Sequence, residues 1–171
     1  MKPAASLFAA LWLAAAGGPG VADGSPATAT ATATAAGTKS PAGGVPGVTN
    51  EALAHQYYML QCQGCHRPDG TGTSASAPPM AGMVARFLAV PGGREYLGRV
   101  PGVATAVLSD AQLAELLNWT LFRFDAANVP ADFNPYTAAE IGVLRRRPLR
   151  TEAAAVRAAL VTELDQRPPA R

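Results

Sequence analysis

Cys62-Gln63-Gly64-Cys65-His66 contains both cysteines of the chain and one of its two histidines. That pentapeptide restricts the available chemistry sharply. Two Cys cannot make a four-thiolate zinc site. A site of two thiolates and two imidazoles would need His55, which precedes the Cys pair instead of following it as in a zinc finger. A thioredoxin-like Cys-x-x-Cys would want a βαβ context, and no segment alternates with period two over a useful length. A disulfide between Cys62 and Cys65 would be strained at this spacing. Cys-x-x-Cys-His reads instead as a covalent haem attachment signal. Two thiols three residues apart at a helix end can reach the two vinyl groups of one porphyrin, and the next residue projects an imidazole toward the iron. The expectation is one covalently bound haem c, held by Cys62 and Cys65, with His66 as the metal ligand.

Composition divides the 171 residues before any further motif is read. Lys2 precedes an apolar run from Ala4 to Ala16, which ends at Gly17-Gly18-Pro19 and small residues. This is the pattern of a secretory signal peptide over 1–22, cleaved near Ala22. The run is too short and too broken for a membrane anchor, and no later stretch approaches the roughly 20 apolar residues that span a bilayer. Residues 23–48 are rich in Ala, Thr, Gly and Pro, with Ala-Thr repeated from Ala27 to Ala35. Such a segment cannot bury enough apolar area to offset its ordering entropy, so it reads as a disordered linker. The net charge of +2, from 14 Lys+Arg against 12 Asp+Glu, argues against a nucleic-acid partner.

The rest of the chain reads as helices. Thr49-Asn50-Glu51 offers an N-cap with an acid in the first turn, and Ala54, Tyr57, Tyr58 and Leu60 carry helical spacing up to Cys62. A long Gly/Ser/Thr/Ala/Pro loop follows to Pro79. Met80 to Ala89 is a short helix by pattern, Arg94 to Leu97 a further helical turn, and Val100-Pro101-Gly102 a break. Ser109-x-x-Gln112 is a capping box that opens the strongest helix, with Leu113, Leu116, Leu117, Leu121 and Phe124 on its stripe. Thr137-x-x-Glu140 is a second box, for a helix to about Arg147. Thr151 to Leu164 is a last amphipathic segment. The fold class expected is all-α. Arg145-Arg146-Arg147 reads as a solvated helix end, stabilised by cations near the C-terminus of its helix.

From about Asn50 to Phe124 the chain resembles the small class I cytochrome c domain of bacterial respiratory chains. Three features beyond the haem motif carry the resemblance. Ala54 and Tyr58 precede the first Cys by two turns and one turn, and Trp119 matches the aromatic they cross in the C-terminal helix. Pro78-Pro79-Met80-Ala81-Gly82 looks like the family's Pro-x-Leu-x-Gly segment, whose Pro carbonyl accepts a bond from the proximal His ring. Leu108-Ser109-Asp110 resembles the usual start of the last helix. The resemblance implies a cytochrome c-like bundle of short helices around one haem over 49–125, with 126–171 as a C-terminal helical extension longer than the family's usual ending.

The resemblance also implies a distal Met in the loop before the last helix, and here the pattern breaks. Arg94 to Leu108 contains no Met, His, Lys or Cys. The remaining alternatives for the sixth ligand are Met80, Met83 or none. His55 reads as a surface residue. Arg94, Arg99 and Tyr96 are candidates for the distal face, or Arg for a haem propionate. Two functions follow. The first is an exported monohaem c-type cytochrome, a single-electron carrier between periplasmic partners such as a dehydrogenase and an oxidase or reductase, and not an enzyme. The second is a haem protein with an open distal site, acting as a diatomic-ligand sensor or small peroxidase.

Overall fold

A computed structural model describes residues 43–73 and 77–167. The expected signal peptide and most of the expected linker lie outside these residues. Among the described residues there are helices and turns, with one isolated bridge between Thr73 and Ala77 and no strand. The all-α expectation holds.

Two helices make the frame. Helix α1 (Glu51–Gln61) starts at Asn50, whose side chain accepts from the Leu53 N–H at 3.0 Å. Its short polar side chain satisfies one of the donors that a helix start leaves without a partner. Thr49 does something else: its hydroxyl donates to Glu115. Helix α5 (Asp110–Asp125) begins with the expected capping box. Ser109 accepts from the Gln112 N–H, and the Gln112 side chain accepts from the Ser109 N–H. The two helices pack through Ala54, which is fully buried, and Tyr58. The Tyr58 ring lies 5.6 Å from that of Trp119 and 5.0 Å from that of Phe124, in tilted pairs. A small residue one turn before an aromatic lets the helices approach while the rings interdigitate.

Between the two lie α2 (Gln63–His66), a 3₁₀ helix over Ala85–Ala89, α3 (Gly93–Arg99) and α4 (Pro101–Ala104). Two local expectations need correction here. Met80 to Ala89 is not one helix: residues 81–84 are turns, and the helical part is the 3₁₀ stretch after them. Pro101 does not break the chain but starts α4, at the position where a missing N–H and a fixed φ cost nothing. Residues 43–48, assigned to the linker by composition, belong to the fold. Gly47 adopts a left-handed φ of 73°, its carbonyl accepts from Asn118, and Val48 packs against the core.

After α5 come a 3₁₀ turn (Ala126–Asn128), α6 (Ala138–Leu144) and α7 (Ala153–Asp165). Their apolar side chains enter the same core as α1, α3 and α5: Tyr136, Ile141, Leu144, Leu149, Leu160 and Leu164 are all buried. At Gly98 of α3 an added Cβ would stand 2.6 Å from Leu144, so the absence of a side chain permits the close approach of α6. No helix among the described residues is long and apolar enough to cross a membrane.

Candidate functional site

The α1–α2 junction presents Cys62, Cys65 and His66 on little more than one helical turn. The Cys62 N–H still donates to the Tyr58 carbonyl, closing α1, while the Cys62 carbonyl accepts from the N–H groups of Cys65 and His66. The motif is therefore helical on both sides of Cys62. Both sulfurs are free thiols, Cys62 half-buried and Cys65 exposed. Burial, with the neighbouring Cys65 second, pushes the Cys62 thiol up to about 11. A redox-active cysteine pair needs the opposite shift, toward a thiolate near neutral pH. The shift at Cys62 counts against the thioredoxin-like reading.

His66 is half-buried, and burial lowers its pKa, which favours the neutral imidazole that a metal requires. The Pro78 backbone acts on the ring in the opposite sense, as an accepting carbonyl does. Even so, Nδ1 is buried with no partner in hydrogen-bond geometry.

Backbone bonds on either side of the next segment bring Pro78 to this ring. Gly72 N–H donates to the His66 carbonyl, and Thr73 and Ala77 exchange backbone bonds. Gly72 has φ 70°, and a Cβ there would stand 2.4 Å from the Ala77 carbonyl oxygen and 2.9 Å from that of Pro78. Only glycine lets the loop close this tightly. Asp69 accepts from the Thr71 N–H and hydroxyl, which hold its carboxyl below the usual range. Arg67, next to His66, has a positive φ of 62° that is uncommon for a side-chain-bearing residue. The Tyr58 hydroxyl donates to the Arg67 carbonyl and fixes it. Burial pushes the Tyr58 phenol up to about 12, so the donor stays protonated.

Gly70 extends the same scaffold. Its carbonyl accepts from the N–H groups of both Met80 and Ala81, while Gly82 N–H donates to Phe124 and Ala85 N–H to the buried Asp125 carboxylate. Met80 and Met83 are both half-buried against the core, and the Met83 sulfur lies 3.9 Å from Arg86 Nη1.

The other candidates are engaged elsewhere. His55 is exposed and stacks on Trp119 at 5.3 Å. Arg94 makes a two-point pair with Glu140, at 2.6 and 2.7 Å, and donates to the Asn134 carbonyl. Its guanidinium also lies 4.1 Å from the centre of the Tyr136 ring. Arg99 donates to the Arg147 carbonyl, and Tyr96 is buried against Phe87. Arg94 and Arg99 therefore tie the extension to α3. Arg145, read from sequence as solvated, reaches the carbonyls of Ala104, Ala106 and Leu108 and the Asp110 carboxylate. These partners are 35 to 41 residues away in sequence, so no local pattern announces them.

The donor set suits a thioether-linked porphyrin: two unpaired thiols, an adjacent imidazole held neutral, and a buried ring nitrogen with no partner. Comparison with known proteins points the same way. The chain is 36% identical over 107 residues to cytochrome c-552 of Thermus thermophilus, a span covering 52% of this chain and 82% of that protein. A second cytochrome c-552 of the same species shows the same identity over 107 residues, covering 72% of its length. No protein-family model matches the chain.

Proposed function

The chain belongs to the class I c-type cytochromes, and from that premise we propose that it is an exported monohaem carrier of single electrons between periplasmic redox partners. The observation that carries this reading is the pairing of two free thiols with a half-buried imidazole whose Nδ1 has no partner. Cys62 and Cys65 would hold the porphyrin through thioethers, and His66 would ligate its iron. The bound haem supplies one reversible redox centre, alternating between ferrous and ferric iron. The chain's own residues do the positioning. Burial keeps His66 neutral, the Pro78 backbone acts on the ring in the opposite sense, and Gly72, Asp69 and Tyr58 brace the backbone around it. Electron transfer needs no general acid, base or nucleophile, so the protein would act as a carrier and not as an enzyme. Its donors and acceptors would be a periplasmic dehydrogenase and an oxidase or reductase.

The test is expression of the full chain in a host that matures c-type cytochromes. The expected product is periplasmic, begins near Asp23, and has the mass of the polypeptide plus one haem that acid–organic extraction does not remove. Cys62→Ala with Cys65→Ala should abolish the covalent attachment. A colourless product with the bare polypeptide mass would overturn the reading.

A further inference from the structure

A haem iron held by His66 would take its sixth ligand either from another donor of the chain or from solution, and the placement of the remaining donors bears on which. We infer that no side chain among the described residues fills the sixth position, and that the site takes small exogenous ligands: carbon monoxide or nitric oxide on ferrous iron, imidazole on ferric iron. This rests on the proposed haem attachment at Cys62, Cys65 and His66.

Strong donors are few. The chain has four Met, two His, two Cys and, at Lys2 and Lys39, two Lys. Both Cys and His66 are committed. His55 is stacked on Trp119, about two helical turns before Cys62, and Met59 is nearly half exposed on the same helix. Met80 and Met83 remain among the described residues, and both sit on the loop that serves the imidazole. Gly72 ties this loop to the His66 carbonyl, Gly70 binds the Met80 and Ala81 N–H groups, and the Pro78 backbone faces the His66 ring. The turn cannot swing away, because Met83 and Val84 donate back to the Met80 carbonyl while Gly82 and Ala85 are anchored on Phe124 and Asp125. The backbone of both residues is thus pinned to the loop that faces His66, and the Met83 sulfur lies beside Arg86.

The segment from Val100 to Leu108 offers nothing in their place. It carries only Val, Pro, Gly, Ala, Thr and Leu, and the Arg145 guanidinium locks its backbone through Ala104, Ala106 and Leu108. A segment so clamped does not rearrange to admit a distant Met.

The experiment uses the full-length haem-loaded protein. The expected ferric spectrum is high-spin, without the far-red band of methionine-ligated iron. Added imidazole should convert it to low-spin, and the ferrous form should bind carbon monoxide rapidly and stoichiometrically. Met80→Leu and Met83→Leu should leave both spectra unchanged. A low-spin ferric spectrum before any addition overturns the proposal, whichever side chain is responsible, and loss of a far-red band in either Met variant would identify it. A coloured, low-spin product sinks only this inference, whereas a colourless one sinks the haem reading beneath it.

Discussion

Asn118 is fully buried in the middle of α5, between Leu117 and Trp119, where an apolar residue would ordinarily pack. Its amide is engaged at both ends: Nδ2 donates to the Gly47 and Tyr136 carbonyls, and Oδ1 accepts from the Tyr136 N–H. One side chain therefore joins the segment before α1 to the segment before α6. Asn118→Ala removes the shared partner and leaves buried backbone groups unsatisfied, which costs about 2–4 kcal/mol when two or three such groups are orphaned. Denaturant unfolding of the haem-loaded variant should show that loss as a lowered midpoint with an unchanged slope. Tyr58 makes a second residue-scale prediction. Its phenol is raised from 10.0 to about 12, mainly by burial, so the folded state holds its proton more tightly than the unfolded state. The associated stability is intact below pH 10 and is lost as pH climbs through 12. Burial also raises Tyr96 and Tyr136, with the same sign. Helical circular dichroism and tyrosinate absorbance should therefore change together in that window. Tyrosinate from these residues appearing well before any loss of helix would contradict the assignment.

Among the elements, α4 depends on a residue far from it in sequence. Its helix is one turn long, too short to be stable alone, and while its Pro101 and Val103 carbonyls accept from Thr105 and Ala106, the Ala104 carbonyl and those of Ala106 and Leu108 beyond it are met by a side chain. Arg145 supplies those donors, with Nε on Ala104 at the helix end, and Nη2 on Ala106 and Nη1 on Leu108 in the segment that follows. Lysine cannot reproduce a planar fork of donors. Arg145→Lys should thus recover only part of what Arg145→Ala loses, about 2–3 kcal/mol for several partly buried charge-assisted bonds. Hydrogen exchange at Val103 to Ala106 should accelerate in both variants, and unchanged exchange there would show that α4 stands without the clamp. The contrast with α1 and α5 explains what is legible in the sequence. Asn50, the Ser109–Gln112 box and the Ala54/Tyr58/Trp119 register are signals within a few residues or along one helix face, and each appears where expected. The Cys62–His66 motif is likewise local. Pro101 reads as a stop by pattern, yet proline is equally suited to a first helical position, and only the packing around it decides between the two. Arg94 and Arg145 resemble surface charges because their partners, 35 to 46 residues away, leave no mark on the neighbouring sequence. Asn118 does leave a signal, as a polar residue inside an otherwise apolar stripe, but its partners lie 18 and 71 residues away.

For the molecule as a whole, the question is whether residues 126–167 decorate the cytochrome fold or complete it. Among the described residues, three ion pairs join them to earlier elements: Arg86–Asp165 at 3.9 Å, Arg94–Glu140 at 2.6 Å and Arg145–Asp110 at 3.1 Å. All involve partly exposed groups, and pairs of that kind contribute on the order of 1 kcal/mol or less each. The apolar contribution is larger. Tyr136, Ile141, Leu144, Leu149, Leu160 and Leu164 are all under a tenth exposed and lie in the one core shared with α1, α3 and α5. At about 1.5–3 kcal/mol for each large buried side chain, their burial is of the order of 10 kcal/mol. That equals the whole stability of a typical domain, about 5–15 kcal/mol. Burial decides the outcome, and the ion pairs set the register of docking. A chain ending at Asp125, matured with its haem, should consequently lack a cooperative thermal transition, expose apolar surface to a hydrophobic dye, and respond little to salt. The full chain should melt cooperatively in the same buffer. If the shortened protein melted as one sharp transition within a few degrees of the full chain, the shared core would have to be divided at Asp125, and the haem with α1 and α5 would suffice to hold the fold.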